Sequence, residues 1–258
     1  MSKVAVQFTD VSFEYKSDSG IDSKLILDKF NLQVKDGEFV SIIGPSGSGK
    51  STIFRLISGL ERPNKGEILI NGLANGSRLG RVGYMPQQDL LMPWRTAVEN
   101  AALPLELKGI KKEQANDMVL GLLEEFGLTG IENKYPSDLS GGMKQRVSFL
   151  RTILTGANVL LLDEPFSALD AITRLSMQEW LLEQWERRKK SVIFVTHDVD
   201  EALFLSDRIF VFDQQPVSEL QEVKVPLKRP RSGRDLNNPK IIQLKEYLIN
   251  QLRSKVKL

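Results

Sequence analysis

A glycine-rich segment that ends in lysine, serine and threonine has the clearest chemistry in this sequence. The segment from Gly44 to Thr52 reads GPSGSGKST and matches the phosphate-binding pattern G-x-x-x-x-G-K-[ST]. Its glycines let the backbone turn consecutive N–H groups toward a phosphate chain, while Lys50 would reach the β- and γ-phosphates and Ser51 would place its hydroxyl on Mg²⁺. The alternative is a turn with an incidental lysine, but the strand-like run before the segment and the apolar helical face after it favour phosphate binding. The residues predicted to contact the phosphates are Gly44, Pro45, Ser46, Gly47, Ser48, Gly49, Lys50, Ser51 and Thr52.

Two acids follow an apolar run farther along the chain. The run from Val159 to Leu162 is followed directly by Asp163 and Glu164. In a phosphate-transfer site Asp163 would hold the metal through its shell, and Glu164 would orient or deprotonate the attacking water. Two acids in a loop after a buried strand are common, so the phosphate loop is what makes the catalytic interpretation the favoured one.

The single histidine, His197, follows another apolar run, Val192–Val195, and Thr196. A lone histidine is more often a structural residue than a catalytic one. Open α/β sheets, however, place ligand-binding groups at the carboxyl ends of parallel strands, where a neutral imidazole could hydrogen-bond the γ-phosphate. We therefore predict that His197 is catalytic, together with Glu164.

The pattern of apolar positions predicts the elements that hold these residues. Short β-rich runs open the chain, at Val4–Phe8, Val11–Tyr15, Phe30–Val34, Phe39–Ile43 and Glu67–Ile70. From Asp89 to Gly156 helical spacing takes over, and one helix is predicted to present Met118, Leu122, Leu123 and Phe126 on one face before it stops at Gly127. Three runs that are apolar at every position then follow, at Val159–Leu162, Val192–Val195 and Ile209–Phe212. Such runs are typical of strands buried on both faces, so we expect an α/β fold with a parallel sheet between helices.

The composition excludes several classes of protein. The 258 residues carry a net charge of +2, from 35 basic and 33 acidic residues, which gives no field that would favour nucleic acid as a partner. The longest apolar runs are far shorter than the roughly 20 residues of a membrane-spanning helix. The N-terminal residues lack a secretory pattern and the chain has no cysteine, so we expect a protein of the cytoplasm.

A further motif resembles the signature of a known family. Leu139 to Arg146 reads LSGGMKQR and resembles the LSGGQ signature of ABC ATPases, with Met143 in place of glutamine. An N-capped helix is the alternative, with Ser140 as the cap. Glycine in a first turn is costly, however, and is best tolerated where the backbone approaches a ligand. The signature, the phosphate loop and the acid-ended strand occur in the order typical of that family.

The resemblance implies a P-loop NTPase fold of the ABC ATPase type, with an N-terminal antiparallel β-subdomain and an α-helical subdomain. Residues 1–88 and 157–214 would form the RecA-like core with the β-subdomain. Residues 89–156 would form the helical subdomain, and residues 215–258 a short C-terminal extension. The implied cofactors are ATP and Mg²⁺.

The resemblance also implies roles for individual residues. Gln87 would join the catalytic residues as the glutamine that senses Mg²⁺ and the transport partner. The segment Ser167–Asp170 would touch the opposite subunit. Tyr15 would stack on adenine, although a core or surface tyrosine fits the sequence almost as well. Ser140, Gly141 and Gly142 would face ATP bound to a second copy in a head-to-tail dimer. The implied metal-holding residues are Ser51, Gln87 and Asp163.

Two segments are similar to importers of the nitrate, sulfonate and taurine group, which also includes importers of pyrimidine precursors. The first segment is Gln87–Asn100, in which Trp94 is either an aromatic residue that docks on the permease or a residue that packs within the helical subdomain. The second is the tail from Val225 to Arg234, which is either a feature shared with this importer group or a solvated basic linker. The implied partners are membrane permease subunits, a second ATPase subunit and, indirectly, a solute-binding protein, with the chain at the cytoplasmic face of the membrane. The rival is a soluble ABC ATPase that is not coupled to transport.

Overall fold

The computed structural model describes residues 3–16, 23–74, 77–212 and 215–255. The strands are β1 Val4–Lys16, β2 Ser23–Lys35, β3 Phe39–Ile43, β4 Lys65–Ile70, β5 Gly83–Met85, β6 Val159–Asp163, β7 Ser191–Val195, β8 Arg208–Val211 and β9 Gln221–Lys224. The α-helices are α1 Lys50–Ser58, α2 Ala97–Leu107, α3 Lys112–Leu120, α4 Gly141–Leu154, α5 Ala171–Arg188, α6 Val199–Leu205 and α7 Pro239–Lys255. No helix in these ranges is both long enough and apolar enough to span a bilayer.

A three-stranded antiparallel sheet, ordered β2-β1-β4, occupies the N-terminal part of the chain. The sequence predicted two separate strands, Val4–Phe8 and Val11–Tyr15, but the structure joins them in the 13-residue strand β1. Asp10 has a positive φ of 48°, and the pairing with β2 shifts register on either side of it. This irregularity interrupts the alternation of buried and exposed residues, which explains why the sequence pattern looks like two strands.

The second sheet has six strands in the order β5-β6-β7-β3-β8-β9. Strands β5, β6, β7, β3 and β8 are parallel, and β9 joins the edge antiparallel to β8. Every residue of β3, β6 and β7 is buried, which explains the uninterrupted apolar runs in the sequence. Because these three strands are neighbours and parallel, the segments that follow them meet at one edge of the sheet.

Helices α2, α3 and α4 lie between β5 and β6 in the chain, as the sequence predicted for this region. The sequence predicted that one helix continues to Phe126, and the second half of this prediction is wrong. Helix α3 ends at Leu120, and turns follow up to Gly127. Phe126 is buried because its ring packs edge-on against Trp180 of α5, 5.9 Å between centroids, whereas Met118 is exposed. Tertiary packing, rather than a continuous helical face, produced the apolar spacing.

The C-terminal segment packs on the main sheet domain instead of projecting from it. Helix α7 buries Ile241 and Leu248 in an apolar cluster that it shares with α6. The interpretation of the tail as a solvated basic linker is wrong for Arg231, whose side chain is only 1% exposed. It is also wrong for Arg229, which pairs with Asp207 at 2.8 Å and stacks on an aromatic ring of α5.

Candidate functional site

The phosphate loop connects β3 to α1 with the lysine folded into its centre. Lys50 is buried, and its Nζ donates hydrogen bonds to the carbonyl oxygens of Gly44 at 2.8 Å and Pro45 at 2.9 Å. Burial lowers the pKa of Lys50, whereas the nearby charges of Glu164 and Asp163 raise it. The ammonium group therefore lies inside the loop and within the field of both predicted carboxylates.

Three features of the loop fit an anionic ligand. Ser48 Oγ is buried and forms no hydrogen bond with any described residue. Gly47 has a φ of 77°, and a Cβ added there would meet nothing within 4 Å, so space is open above the loop. Helix α1 begins at Lys50 with its N–H groups directed to the same side. Buried donors, open space and a helix N-terminus together suit a chain of phosphates.

A cleft of about 260 Å³ continues from the loop. Tyr15 lies in its wall, half-buried, with its ring edge-on to Phe13 at 4.8 Å between centroids. Ser51 and Thr52 line the same cleft, together with Lys50. The structure thus brings the predicted adenine-stacking tyrosine to the same cleft as the end of the loop.

The acid pair lies at the carboxyl end of β6. Asp163 is buried, and its Oδ2 accepts a hydrogen bond of 3.2 Å from the hydroxyl of Tyr84. Burial raises the pKa of the Asp163 carboxyl, and the hydrogen bond from Tyr84 opposes that shift. Glu164 follows with a positive φ of 43°, and its N–H donates to the carbonyl of Val195 at 2.9 Å. This bond fixes the start of the loop after β6 against the end of β7.

Two other predicted residues converge at the Glu164 carboxylate. His197 Nδ1 lies 3.1 Å from Glu164 Oε2, and Gln87 Nε2 donates to the same oxygen at 3.4 Å. Ser167 closes the cluster, because its hydroxyl donates to the Glu164 carbonyl at 3.0 Å and lies 3.5 Å from Gln87 Nε2. Residues from the ends of β5, β6 and β7 therefore surround one carboxylate that is only partly exposed.

The signature residues do not line the cleft beside Lys50. Ser140 caps α4 and accepts a hydrogen bond of 3.3 Å from the Met143 N–H. A Cβ added to Gly141 would lie 3.0 Å from Leu169, and one added to Gly142 would lie 3.3 Å from Thr173. Both glycines therefore lie close to side chains at and just before the start of α5.

Asp170, the other residue predicted at a subunit contact, is a helix cap within this chain. Its Oδ1 accepts hydrogen bonds from the N–H groups of Ile172 at 3.1 Å and Thr173 at 3.0 Å. The hydrogen bonds from Thr173 hold the pKa of the Asp170 carboxyl below its usual value. The exposed side chain lies at the N-terminus of α5, on the same surface region as the N-terminus of α4.

Three residues at this edge form contacts that the sequence did not predict. Tyr84 bonds Asp163, Ser167 bonds the Glu164 carbonyl, and Gln215 donates to the Gly47 carbonyl at 2.5 Å. The sequence signal for the first two is only proximity, because each lies three residues from a predicted site residue. Gln215 reaches the loop from the connection between β8 and β9, and no local pattern in the sequence indicates this contact.

Comparison with known proteins connects this geometry to a family. A family model described as "ABC transporter" matches residues 27–167. The chain is 47% identical over 226 residues to the formylaminopyrimidine import ATP-binding protein ThiZ of Halalkalibacterium halodurans, an alignment that covers 88% of this chain and 86% of the relative. It is 40% identical over 248 residues to the aliphatic sulfonates import ATP-binding protein SsuB of Bacillus cereus, covering 95% and 97% of the two chains.

A solved structure agrees with the fold. The ATP-binding cassette MJ0796, in a dimeric post-hydrolysis state bound to ADP and Pi, superposes with a TM-score of 0.74 at 33% identity. The superposition covers 86% of this chain and 100% of that one. The expected α/β fold with an antiparallel sheet beside the main sheet is confirmed.

Proposed function

Because this chain belongs to the ABC transporter family, whose ATP-binding subunits are ATPases coupled to transport, we propose that it is the ATP-hydrolysing subunit of an importer. The observation that carries the proposal is the meeting of His197 and Gln87 at the Glu164 carboxylate, on the sheet edge that also holds Lys50. The relatives' names support a solute of the sulfonate or pyrimidine-precursor type as the imported compound. The resemblance of the sequence to the wider importer group extends this proposal to other small organic or anionic solutes, such as nitrate and taurine.

The loop and the cleft would hold ATP. Backbone N–H groups of the loop and the Lys50 ammonium would bind the β- and γ-phosphates, and Tyr15 would stack on the adenine. Ser51, Gln87 and Asp163 would hold Mg²⁺ directly or through water, because hydroxyl, amide and carboxylate oxygens are the ligands that this cation prefers. When bound, Mg²⁺ neutralises charge that develops on the phosphates.

Glu164 would act on the attacking water. Its Oε2 is already held by Gln87 and His197, which leaves the other carboxylate oxygen to orient the water and accept its proton. His197, which is exposed in the isolated chain, would then hydrogen-bond the γ-phosphate. The hydrogen bonds of Ser167 would keep the Glu164 backbone in place during the reaction.

A second ATPase subunit would complete the site. Ser140, Gly141 and Gly142 lie away from the cleft of their own chain, so they would reach ATP only on another copy. The dimeric state of the MJ0796 cassette supports this arrangement. Asp170 lies beside the same surface and would contact the opposite subunit. Closure of two subunits on two ATP molecules would then be favoured by the higher affinity of ATP for the closed state.

The permease would dock on the segment after β5. Trp94 is 72% exposed, so ordinary packing does not account for it, and Leu90 of the same segment is also exposed. We propose that this surface receives permease subunits at the cytoplasmic face of the membrane, with a solute-binding protein acting from the other side. The transported solute would contact those proteins and no residue of this chain.

Affinity purification from native membranes in mild detergent, followed by mass spectrometry, tests the importer assignment. We expect recovery of a permease and a solute-binding protein. Trp94→Ala should reduce permease recovery while ATP binding remains, whereas Leu107→Ala, which removes another exposed apolar side chain, should not. Recovery of ribosomes or DNA without a membrane protein would instead favour a soluble ABC ATPase.

A further inference from the structure

The hydroxyl of Tyr84 is the one side-chain group among the described residues that donates a hydrogen bond to the Asp163 carboxylate. Tyr84 lies in the middle of β5, opposite Leu161 of β6, and its hydroxyl reaches Asp163 Oδ2 at 3.2 Å. Asp163 Oδ1 accepts no hydrogen bond from the described residues. The hydrogen bond from Tyr84 therefore makes the two carboxylate oxygens of Asp163 different, because only Oδ2 accepts a bond from the described residues.

The ring of Tyr84 is fixed by packing, so the direction of its hydroxyl is fixed too. Phe54 of α1, which is fully buried, meets the Tyr84 ring edge-on at 5.9 Å between centroids and an interplanar angle of 88°. Helix α1 starts at the phosphate loop, and β5 leads to Gln87. Tyr84 thus lies between the element that would hold the phosphates and the segment that would hold the cation.

Packing alone does not require a hydroxyl at this position. Phenylalanine would fill the same space against Phe54, while the hydroxyl oxygen has a buried, anionic partner. A tyrosine hydroxyl stays protonated far above neutral pH and can only act as the donor to a carboxylate. Carboxylates that hold a metal are commonly oriented by such a hydrogen bond, and its loss typically weakens metal affinity 10- to 100-fold.

We propose that Tyr84 is a positioning residue for the divalent cation of this ATPase. Its hydroxyl would hold Oδ2 of Asp163 and leave Oδ1 available to bind the cation or a water molecule of its shell. The proposal rests on the proposed function, because it concerns the cation that Asp163 would hold during ATP hydrolysis.

The test compares divalent-cation binding in Tyr84→Phe and in the wild type. Mn²⁺ binding to the full chain is followed by electron paramagnetic resonance in the presence of a non-hydrolysable ATP analogue. ATP binding without divalent cations is followed by fluorescence in EDTA. Tyr84→Phe should weaken Mn²⁺ binding about tenfold, while ATP affinity in EDTA and the melting temperature stay close to the wild type. Tyr247→Phe, which removes an exposed hydroxyl bonded to Gln221, is the matched control and should change none of these quantities.

The outcomes separate this proposal from the proposed function. A wild-type protein that binds neither Mn²⁺ nor the ATP analogue would overturn both. A wild-type protein that binds both ligands, with Mn²⁺ affinity unchanged in Tyr84→Phe, would overturn the role of Tyr84 alone. A parallel loss of Mn²⁺ affinity and of ATP affinity in EDTA would also overturn it, because that result indicates damage to the phosphate loop.

Discussion

Glu164 has a strained backbone, and its carboxylate contacts both Gln87 and His197. A φ of 43° is uncommon for a residue with a side chain and costs about 1 kcal/mol or more. The strain is maintained by the bond from its N–H to Val195 and by the bond from Ser167 to its carbonyl. This conformation carries the side chain from the buried end of β6 to His197 and Gln87.

Glu201 is an acid of helix α6 and, unlike the partly exposed Glu164, it is buried. It is buried in α6, where the Thr196 hydroxyl donates to Oε2 at 2.5 Å and the Gln178 amide donates to Oε1 at 3.0 Å. Burial raises the pKa of the Glu201 carboxyl, and the two hydrogen bonds only partly offset that shift. Protonation of this group therefore occurs more readily in the folded chain than in the unfolded chain.

The raised pKa of Glu201 predicts a pH-dependent difference in stability between the wild type and Glu201→Gln. Because the folded pKa is raised, Glu201 stabilises the fold fully below its ordinary pKa of 4.5, and that contribution is lost as the pH rises through the folded value. Urea unfolding from neutral pH down to about 4.5 should therefore show the wild type gaining stability relative to Glu201→Gln. Glu183→Gln, an exposed position on α5, should show no such trend. A wild-type minus Glu201→Gln difference that stays constant with pH would contradict the assignment.

At the scale of elements, the C-terminal segment is joined to the end of α6. Arg231 donates hydrogen bonds to the carbonyls of Leu203, Phe204 and Ser206, at 3.3, 3.0 and 2.8 Å. These bonds satisfy carbonyl groups at the end of the helix that have no partner within it. Burial lowers the pKa of Arg231 to about 10, so the side chain remains charged at neutral pH.

Arg231→Leu should therefore destabilise the protein strongly. The variant leaves several buried carbonyls without donors, and we expect the free energy of unfolding to fall by about 3 kcal/mol. Chemical denaturation measures the change. Arg234→Leu, in the same basic stretch but exposed, should change stability by less than about 0.5 kcal/mol. Equal effects of the two substitutions would restore the interpretation of the tail as a solvated linker.

The sequence predicts those parts of the fold and site that depend on local patterns. The phosphate loop, the acids after β6 and the position of His197 follow from motifs at the ends of apolar strands, and β3 has the predicted bounds. The contact of Tyr84 with Asp163 joins residues 79 positions apart and depends on the order of β5 and β6, which no local pattern specifies. Buried and exposed arginines look alike in a basic tail, so the cap formed by Arg231 was not predictable either.

At the scale of the whole molecule, we propose that the chain contributes to two different ATP sites, one through its phosphate loop and one through its signature residues. Lys50 and Glu164 lie at the carboxyl edge of the main sheet, whereas Ser140 begins a helix of the segment 89–156. We propose that residues 1–88 and 157–214 act as the core, that 89–156 act as the helical subdomain, and that 215–258 act as an extension braced on α6. A head-to-tail dimer would then contain two composite sites.

Mixing two inactive variants tests the composite sites. Lys50→Ala removes the lysine that we propose binds phosphate, and Gly142→Asp places a charged side chain in the signature, so each homodimer should be inactive. In an equal mixture half of the dimers are heterodimers with one intact site, and ATPase activity should recover to about a quarter of the wild type. Mixing Lys50→Ala with Glu164→Gln, which damage the same half of the site, should restore nothing. No recovery in the first mixture would contradict the head-to-tail arrangement.

The most direct test of the central claim is ATP hydrolysis by Glu164→Gln. The substitution keeps the shape of the side chain but removes the base, so hydrolysis should fall by about 100-fold or more. ATP should still bind, and an ATP-bound dimer should accumulate in size-exclusion chromatography with light scattering. Glu183→Gln provides the matched control with wild-type activity. Unchanged hydrolysis in Glu164→Gln would contradict the assignment of Glu164 as the residue that activates water.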